Sequence, residues 1–206
     1  PNSVELEYSR TPDNKFTRIP GPEVRVYTYK FGILKTDMAG KKELSGAKFA
    51  IARVNGSTET FMTQDTETKV WKNLTTDKPN ADAADGVFTT DGNGKIAMSG
   101  LPAGTYHVYE IKAPTGYTNI GLPDFTFTIG ATFSGTPETA TVSYSKKTGD
   151  DRISVGTSDG QATVKNAKNL TELPLTGDLG IKVFVTVGVL LMAAGAAFAL
   201  SARMRA

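Results

Sequence analysis

The longest uninterrupted apolar segment of the chain lies near the C-terminus and limits what that end can fold into. Residues 181–200 read IKVFVTVGVLLMAAGAAFAL, and Lys182 is the single charged residue among them. About 20 such residues are what a helix needs to cross a bilayer, whereas a buried helix of a domain usually keeps a polar face. We therefore predict a transmembrane helix over 181–200. The basic tail 201–206 (SARMRA) predicts that this end is cytoplasmic and that everything upstream lies outside the cell.

A pentapeptide stands just before the predicted span. It reads LPLTG and comprises Leu173, Pro174, Leu175, Thr176 and Gly177. Proline fixes its own backbone and keeps the preceding residue extended, which suits a segment that binds in the groove of another protein. The order of pentapeptide, apolar span and basic tail resembles the cell-wall sorting signal of Gram-positive surface proteins. In that family a membrane-bound sortase uses a cysteine to attack the Thr-Gly bond and passes the threonine acyl group to an amine. The resemblance implies a temporary anchor and a mature protein that ends at Thr176.

Composition agrees with a surface location. The chain of 206 residues has no cysteine, so the exported protein must be stabilised without disulfides. Its net charge is +2 and its basic residues do not cluster, which gives no argument for nucleic acid as a partner. An exported protein needs an N-terminal signal, and the sequence opens without one. We therefore expect the chain to be the C-terminal part of a longer precursor.

The region upstream of the sorting signal has the pattern of an all-β protein. Short alternating or β-rich segments recur, separated by turn signals such as DGNG and PTG: VRVYTYKFGILKT, AKFAIARV, KIAMSG, TYHVYEI, DFTFTI, TATVSYS, RISVG and QATVKN. Several short strands at this spacing predict a β-sandwich. Residues 57–86 are polar around a lone Trp71, and we interpret them as an insertion that holds a short helix. The predicted domain covers residues 23–168.

The ends of the chain differ from this pattern. Residues 1–9 (PNSVELEYS) are typical of one strand, and the loop that follows contains three prolines, which is the composition of a linker. A lone strand is not stable by itself, so we interpret residues 1–22 as the last strand of a preceding domain plus a linker. Residues 169–180 are predicted to be a mobile tether that carries the sorting motif.

Three polar residues fall on faces that are otherwise apolar. Lys35 shares a strand face with Phe31 and Ile33; in the same way Glu110 follows Tyr106 and Val108, and Asn166 follows Ala162 and Val164. A lysine or a glutamate at the end of a strand usually reaches solvent, and this alternative applies to each residue taken alone. Together the three suggest a buried group of one amine, one carboxyl and one amide.

Such a group has a specific chemistry. Burial lowers the pKa of a lysine and raises the pKa of a glutamate, so a desolvated pair tends toward a neutral amine and a neutral acid. The amine of Lys35 is then a nucleophile, the acid of Glu110 can polarise a carbonyl and relay protons, and Asn166 supplies the electrophile. The predicted product is a Lys-Asn isopeptide bond, formed with loss of ammonia and without a cofactor. By closing a loop of more than a hundred residues, it would stabilise the fold by about 4 kcal/mol.

The combined motifs identify a resemblance. FGILKTD, ELSGAKFAI, GLPAGTYHVYEIKAPTGY and ATVKN, followed by LPLTG, resemble an immunoglobulin-like CnaB domain at the C-terminus of a major (backbone) pilin of sortase-assembled Gram-positive pili. The resemblance implies that Lys35 is the reactive lysine, Glu110 the catalytic acid and Asn166 the asparagine. Asn169 is a poorer match, and Asn2 is a possible acceptor of the preceding domain. The chain departs from many relatives at Ile111, where they have threonine.

The resemblance implies a structural protein and not an enzyme. As partners it implies sortase, neighbouring pilin subunits, the peptidoglycan of the cell wall and, before cleavage, the membrane. The alternative is the stalk domain of a monomeric wall-anchored adhesin, and a remoter one is an appendage of a secreted hydrolase. Other candidate sites are weak: His107 is predicted to face away from Glu110, and Asp91 begins a hairpin turn that lacks the later ligands of a calcium loop. We predict no metal site.

Overall fold

The structure is a computed structural model. It describes the backbone of residues 5–9 and 16–20 and, with side chains, residues 26–75, 77–134, 139–173 and 185–192. The strands within it are β1 (Glu5–Ser9), β2 (Phe16–Pro20), β3 (Tyr29–Asp37), β4 (Lys48–Asn55), β5 (Thr58–Gln64), β6 (Trp71–Asn73), β7 (Phe88–Thr89), β8 (Lys95–Leu101), β9 (Gly104–Lys112), β10 (Asp124–Ser134), β11 (Thr139–Lys146), β12 (Ile153–Val155) and β13 (Gln161–Asn166).

Two sheets form the body of the domain, which confirms the predicted β-sandwich. The larger sheet has the strand order β11-β10-β9-β4-β5-β6, and β7 pairs with the end of β4. The smaller sheet has the order β12-β13-β3-β8. Because successive side chains of a strand point to opposite faces, each sheet turns one row of side chains toward the other.

The first and last strands of the sandwich are neighbours in the smaller sheet. β3 and β13 pair in parallel, with Lys35 opposite Val164 and Asp37 opposite Asn166. The other strand pairs in the described residues are antiparallel. The point where the chain enters the sandwich therefore lies beside the strand from which it leaves.

The core lies between the two sheets and follows the alternation of the sequence. In β9 and β13 every second side chain is buried. Phe31 stacks on Phe127 with ring centroids 3.7 Å apart, which joins the two sheets at the centre. Buried apolar residues of β5, β8, β11 and β12 complete the main cluster, whose largest part comes from β3, β4, β9, β10 and β13: Phe31, Ile33, Phe49, Ile51, Tyr106, Val108, Phe125, Phe127, Ile129, Ala162 and Val164.

Two segments differ from the sequence-based expectation. Residues 16–20, expected in the linker, form strand β2, which pairs antiparallel with β1 as a hairpin. A backbone hydrogen-bond partner beside a strand can outweigh a proline-rich composition. In the predicted insertion, residues 58–64 form β5 of the larger sheet, and residues 71–73 form β6. No helix occurs in the described part of 57–86, and residues 66–70, between β5 and β6, are all exposed.

Beyond β13 the structure describes residues 167–173 without a break. Leu170–Glu172 form a 3₁₀ helix whose N-cap is Asn169, and Leu173 after it is buried. Residues 185–192 of the predicted span are helical, and the remainder of that span and the basic tail lie outside the described residues. In the described part of the chain, no helix is both long enough and apolar enough to cross a membrane.

Candidate functional site

The three polar residues singled out in the sequence meet inside the sandwich. Lys35 comes from β3, Glu110 from β9 and Asn166 from β13, so the group joins both sheets. The exposed fractions of the three residues are 0%, 5% and 2%. The alternation that buries the apolar residues of each strand also buries these side chains, because each lies an even number of positions from them.

The three side chains contact one another directly. Lys35 Nζ donates a hydrogen bond to Asn166 Oδ1 at 2.5 Å and lies 2.9 Å from Glu110 Oε2. Asn166 Nδ2 donates to Glu110 Oε1 at 2.7 Å. The carboxyl group of Glu110 thus bridges the amine and the amide with its two oxygens, and the amine lies against the carbonyl of the amide.

Burial acts on the two titratable groups in opposite directions. Desolvation lowers the pKa of Lys35 to about 8, although the neighbouring Glu110 partly offsets this effect. Desolvation likewise raises the pKa of Glu110 above its ordinary value, against the influence of Lys35. Both directions favour the neutral amine and the neutral acid. The arrangement can therefore place a nucleophile, an amide carbonyl and a proton relay within hydrogen-bonding distance.

A tight turn positions the backbone of Lys35. The amide of Lys35 donates to Gly94 O at 2.8 Å, and Lys35 O accepts from Leu44 N at 2.9 Å. Gly94 has a φ of +69°, and a Cβ there would lie 2.7 Å from Lys35 O and 2.8 Å from Leu44 N. Only glycine fits this position without displacement.

This turn is the DGNG segment. Asp91 Oδ1 accepts from Asn93 N at 2.9 Å and from Lys95 N at 2.8 Å, and Gly94 N donates to Asp91 O at 3.0 Å. The carboxylate is thus engaged with backbone amides at a turn that leads into β8. Among the described residues, no group of three or more His, Asp or Glu side chains is arranged to hold a metal ion.

Sequence reasoning missed one buried charge near the group, Arg152. It is 2% exposed and immediately precedes β12. Its guanidinium forms a bidentate pair with Asp150, with Nη2 2.6 Å from Oδ2 and Nε 3.1 Å from Oδ1. The signal available in the sequence was an arginine flanked by a turn and a strand, which is usually a solvated position.

His107 lies on the outer face of the larger sheet. Its Nδ1 is 2.6 Å from Glu59 Oε1, and its Nε2 is 3.0 Å from Asp124 Oδ2. Partial burial lowers the pKa of His107, but these two hydrogen bonds outweigh burial, and the pKa is raised. The ring packs 3.9 Å from the ring of Tyr109, centroid to centroid. Alternation along β9 turns His107 to the face opposite Glu110.

The sorting motif is only partly described. Leu173 is 4% exposed, and its amide donates to Leu170 O at 3.3 Å. The amide of Lys168 donates to the Glu172 carboxylate at 2.8 Å, and Asn169 Oδ1 accepts from Thr171 N at 3.1 Å. Residues 169–173, which fall in the predicted tether, thus form a capped 3₁₀ turn, because local side-chain caps satisfy the backbone. The other motif residues and the possible acceptor lie outside the described residues: Pro174, Leu175, Thr176, Gly177 and Asn2.

Two family models match the chain. Residues 29–145 match the SpaA family, described as a prealbumin-like fold domain. Residues 165–205 match the LPXTG cell wall anchor motif, which assigns the chain to the cell wall. The first match contains Lys35 and Glu110, and the second contains Asn166 and the LPLTG pentapeptide. No curated protein matches the chain.

Several solved pilins have a similar fold. The group B streptococcus pilus 2b backbone protein is 21% identical, with 79% of this chain and 47% of that chain covered and a TM-score of 0.44. The full-length RrgB pilus protein from Streptococcus pneumoniae is 14% identical, with 85% and 37% covered and a TM-score of 0.43. The C-terminal domain of the shaft pilin from Lactobacillus rhamnosus GG is 19% identical, with 69% and 98% covered and a TM-score of 0.39. The chain spans less than half the length of the two streptococcal proteins, and the family assignment rests on the sequence models alone.

Proposed function

The chain belongs to the prealbumin-like SpaA domain family and carries an LPXTG cell wall anchor motif, and from these premises we propose that it is a structural subunit of a covalently polymerised surface pilus. Sortase would break the bond between Thr176 and Gly177 and join the Thr176 carbonyl to an amine. That amine would belong to a neighbouring subunit or, finally, to the peptidoglycan. In this proposal the sandwich of 23–168 is the load-bearing part of the subunit.

The observation that carries the proposal is the buried contact of Lys35, Glu110 and Asn166. We propose that it forms an isopeptide bond in a single turnover. The neutral amine of Lys35 attacks Cγ of Asn166, the Nζ–Cγ bond forms, and the Cγ–Nδ2 bond breaks. Nδ2 leaves as ammonia after it receives one proton that the amine loses, and Glu110 relays this proton between its two oxygens. The acid ends in the state in which it began.

The location of the contact suits a subunit under tension. β3 and β13 are parallel neighbours, and both reacting residues lie in the C-terminal halves of these strands. Force that enters through β3 would cross to β13 through the bond at Lys35 and Asn166. The rest of the sandwich would then lie outside the loaded path. Such a tie would act as a covalent link in a chain that has no cysteine.

The crosslink is tested by the intact mass of the purified chain. We expect the wild-type chain to lack one ammonia relative to its sequence, and Glu110→Ala to have the full mass. Glu59→Ala, which removes a carboxylate on the outer face of the larger sheet, is the matched control and should still lose ammonia. A wild-type mass equal to that of the plain sequence contradicts the proposal.

Polymerisation is tested separately in cell-wall extracts. We expect an immunoblot to show a ladder of high-mass species, and we expect Thr176→Ala to leave the protein in the membrane fraction with its fold and crosslink intact. A single wall-linked band would instead indicate the stalk of an adhesin. Polymer formation by the Thr176→Ala variant would contradict the role given to LPLTG.

A further inference from the structure

Arg152 is a buried charge that the proposed reaction does not use. Its guanidinium Nη1 donates to Gly121 O at 2.9 Å, and the carbonyl of Arg152 accepts from Lys165 N at 3.0 Å. Lys165 is the residue before Asn166. The segment that contains Gly121 also holds Glu110, because Pro123 O accepts from Glu110 N at 3.0 Å. A single residue thus contacts the backbone segments that fix both partners of Lys35.

A buried arginine requires interactions that compensate for the loss of its hydration. Removing a guanidinium from water is unfavourable, and a paired carboxylate offsets this cost only when the geometry is good. Asp150 supplies such a pair: its Oδ1 accepts from Nε at 3.1 Å and from the backbone amide of Arg152 at 2.8 Å, and its Oδ2 accepts from Nη2. The Asp150 side chain is 20% exposed, whereas that of Arg152 is only 2% exposed. The protein therefore buries the cation more deeply than its counter-ion.

We propose that Arg152 is a positioning residue for the Lys35–Asn166 reaction: its side chain fixes the segment of Gly121 and Pro123 that holds the backbone of Glu110, and its guanidinium presents a fixed positive charge to the reacting group. The inference rests on the proposed crosslink. The charge of Arg152 lowers the pKa of both Lys35 and Glu110. Asp150 acts on Lys35 in the opposite direction and more weakly. The net influence of the pair favours the neutral amine.

Lys35 and Glu110 share one proton in the reactive state. The role proposed for Arg152 therefore predicts a specific pH dependence of the rate of bond formation. The reactive form has a neutral Lys35 and a protonated Glu110, and it has the same proton count as the ion pair of the two groups. The rate of bond formation should therefore have a plateau that falls on the acid side as a second proton binds and on the alkaline side as the shared proton leaves. Removing the positive charge of Arg152 raises both pKa values and should move both limbs to higher pH.

The test follows crosslinking during refolding. The full chain, kept unfolded and unlinked in denaturant, is diluted with detergent into buffers from about pH 5 to about pH 10, and loss of ammonia is timed by mass. For Arg152→Met we expect a plateau rate lower by about tenfold or more, because the reacting atoms lose their register, and both limbs at higher pH. Arg152→Lys should keep the limbs near their wild-type positions. Arg53→Met, which removes another arginine of the same domain, should match the wild type.

The outcomes distinguish a failure of the role proposed for Arg152 from a failure of the proposed Lys35–Asn166 crosslink. If Arg152→Met does not fold, the Asp150→Asn/Arg152→Met double variant, which leaves no unpaired carboxylate, takes its place. If both limbs of the pH–rate profile stay at their wild-type pH in either variant, the proposal is overturned whatever the plateau rate. The arginine would then serve only the fold. A wild-type chain that never loses ammonia overturns the crosslink itself, and that result is read from the wild-type mass alone.

Discussion

Burial of Lys35 should make the stability of a chain without the proposed crosslink depend on pH. The pKa of Lys35 is lowered from 10.5 to about 8 in the folded state. A lysine with a depressed folded pKa contributes stability at high pH, and this contribution is lost as pH falls through the folded value. An Asn166→Ala chain, which lacks the electrophile, should therefore become more stable between about pH 8 and about pH 10, by about 2 kcal/mol.

Urea unfolding at the two pH values measures this effect. The control is the Lys35→Met/Asn166→Ala double variant, which has no amine to titrate at this position. The two chains should differ in the pH slope of their unfolding free energies. Parallel slopes would show that Lys35 keeps an ordinary pKa in the fold.

Gly94 sets the position of the same lysine through the backbone. A side chain there would meet Lys35 O and Leu44 N, whereas a Cβ added at Gly40, which has a φ of +70°, would have nothing within 4 Å. Both substitutions to alanine incur the strain of a left-handed backbone, about 1 kcal/mol. Gly94→Ala should lose about 3 kcal/mol in total, because the backbone around Lys35 must also move. Thermal unfolding of both variants in the Asn166→Ala background compares them, and equal losses would exclude the close contact.

How much of this site could be predicted depends on the residue. Alternation along three strands was enough to place Lys35, Glu110 and Asn166 on inward faces, because the side-chain period of a strand is fixed. Arg152 could not be predicted, because it lies at a turn, where no period applies. Its burial depends on Asp150 and on a carbonyl of a segment 31 residues away in the chain.

At the scale of elements, the β3–β13 pair shows what sequence pattern leaves open. The pattern predicts that both are strands, but pairing partners and direction depend on contacts between residues far apart in the chain. The composition of the proline-rich segment that contains β2 predicts a linker. The segment nevertheless forms a strand, because β1 supplies a pairing partner. Composition reports local preference, and long-range pairing outweighs it.

The 3₁₀ helix at Leu170–Glu172 leads directly into Leu173, the first residue of the sorting motif. Leu173 is buried there, and sortase, in the proposed function, must take this leucine into its own groove. Asn169→Ala removes the cap and should weaken the helix by about 1 kcal/mol. We expect cleavage of the chain by sortase in vitro to become about fivefold faster, since undocking precedes binding.

The matched control for this prediction is Asn80→Ala. Asn80 also accepts a hydrogen bond from the backbone amide two residues later, at 2.9 Å, but it lies in the segment between β6 and β7. Its removal should leave the cleavage rate unchanged. An Asn169→Ala chain cleaved at the wild-type rate would show that docking of Leu173 does not limit access.

At the scale of the whole molecule, the proposed bond determines how far the chain can be stretched. Lys35 and Asn166 are 131 residues apart in the sequence. When the chain is pulled from its two ends, the wild type should not release this segment, whereas Glu110→Ala should. The difference in extension should be roughly 430 to 470 Å at full stretch. Single-molecule force measurements give this length directly, and equal extensions for the two chains would show that no bond carries the load.

The exposed residues 66–70 lie between the two ends of the proposed bond, and this has a consequence for damage. A chain tied at Lys35 and Asn166 is a ring with two tails, and a protease that cuts the exposed loop turns the ring into a branched molecule without separating any part of it. Every scissile position between the two tied residues shares this property. In the proposed polymer, a fibre of such subunits would tolerate one cut within the ring of each subunit and would still be a single covalent molecule from its tip to the wall.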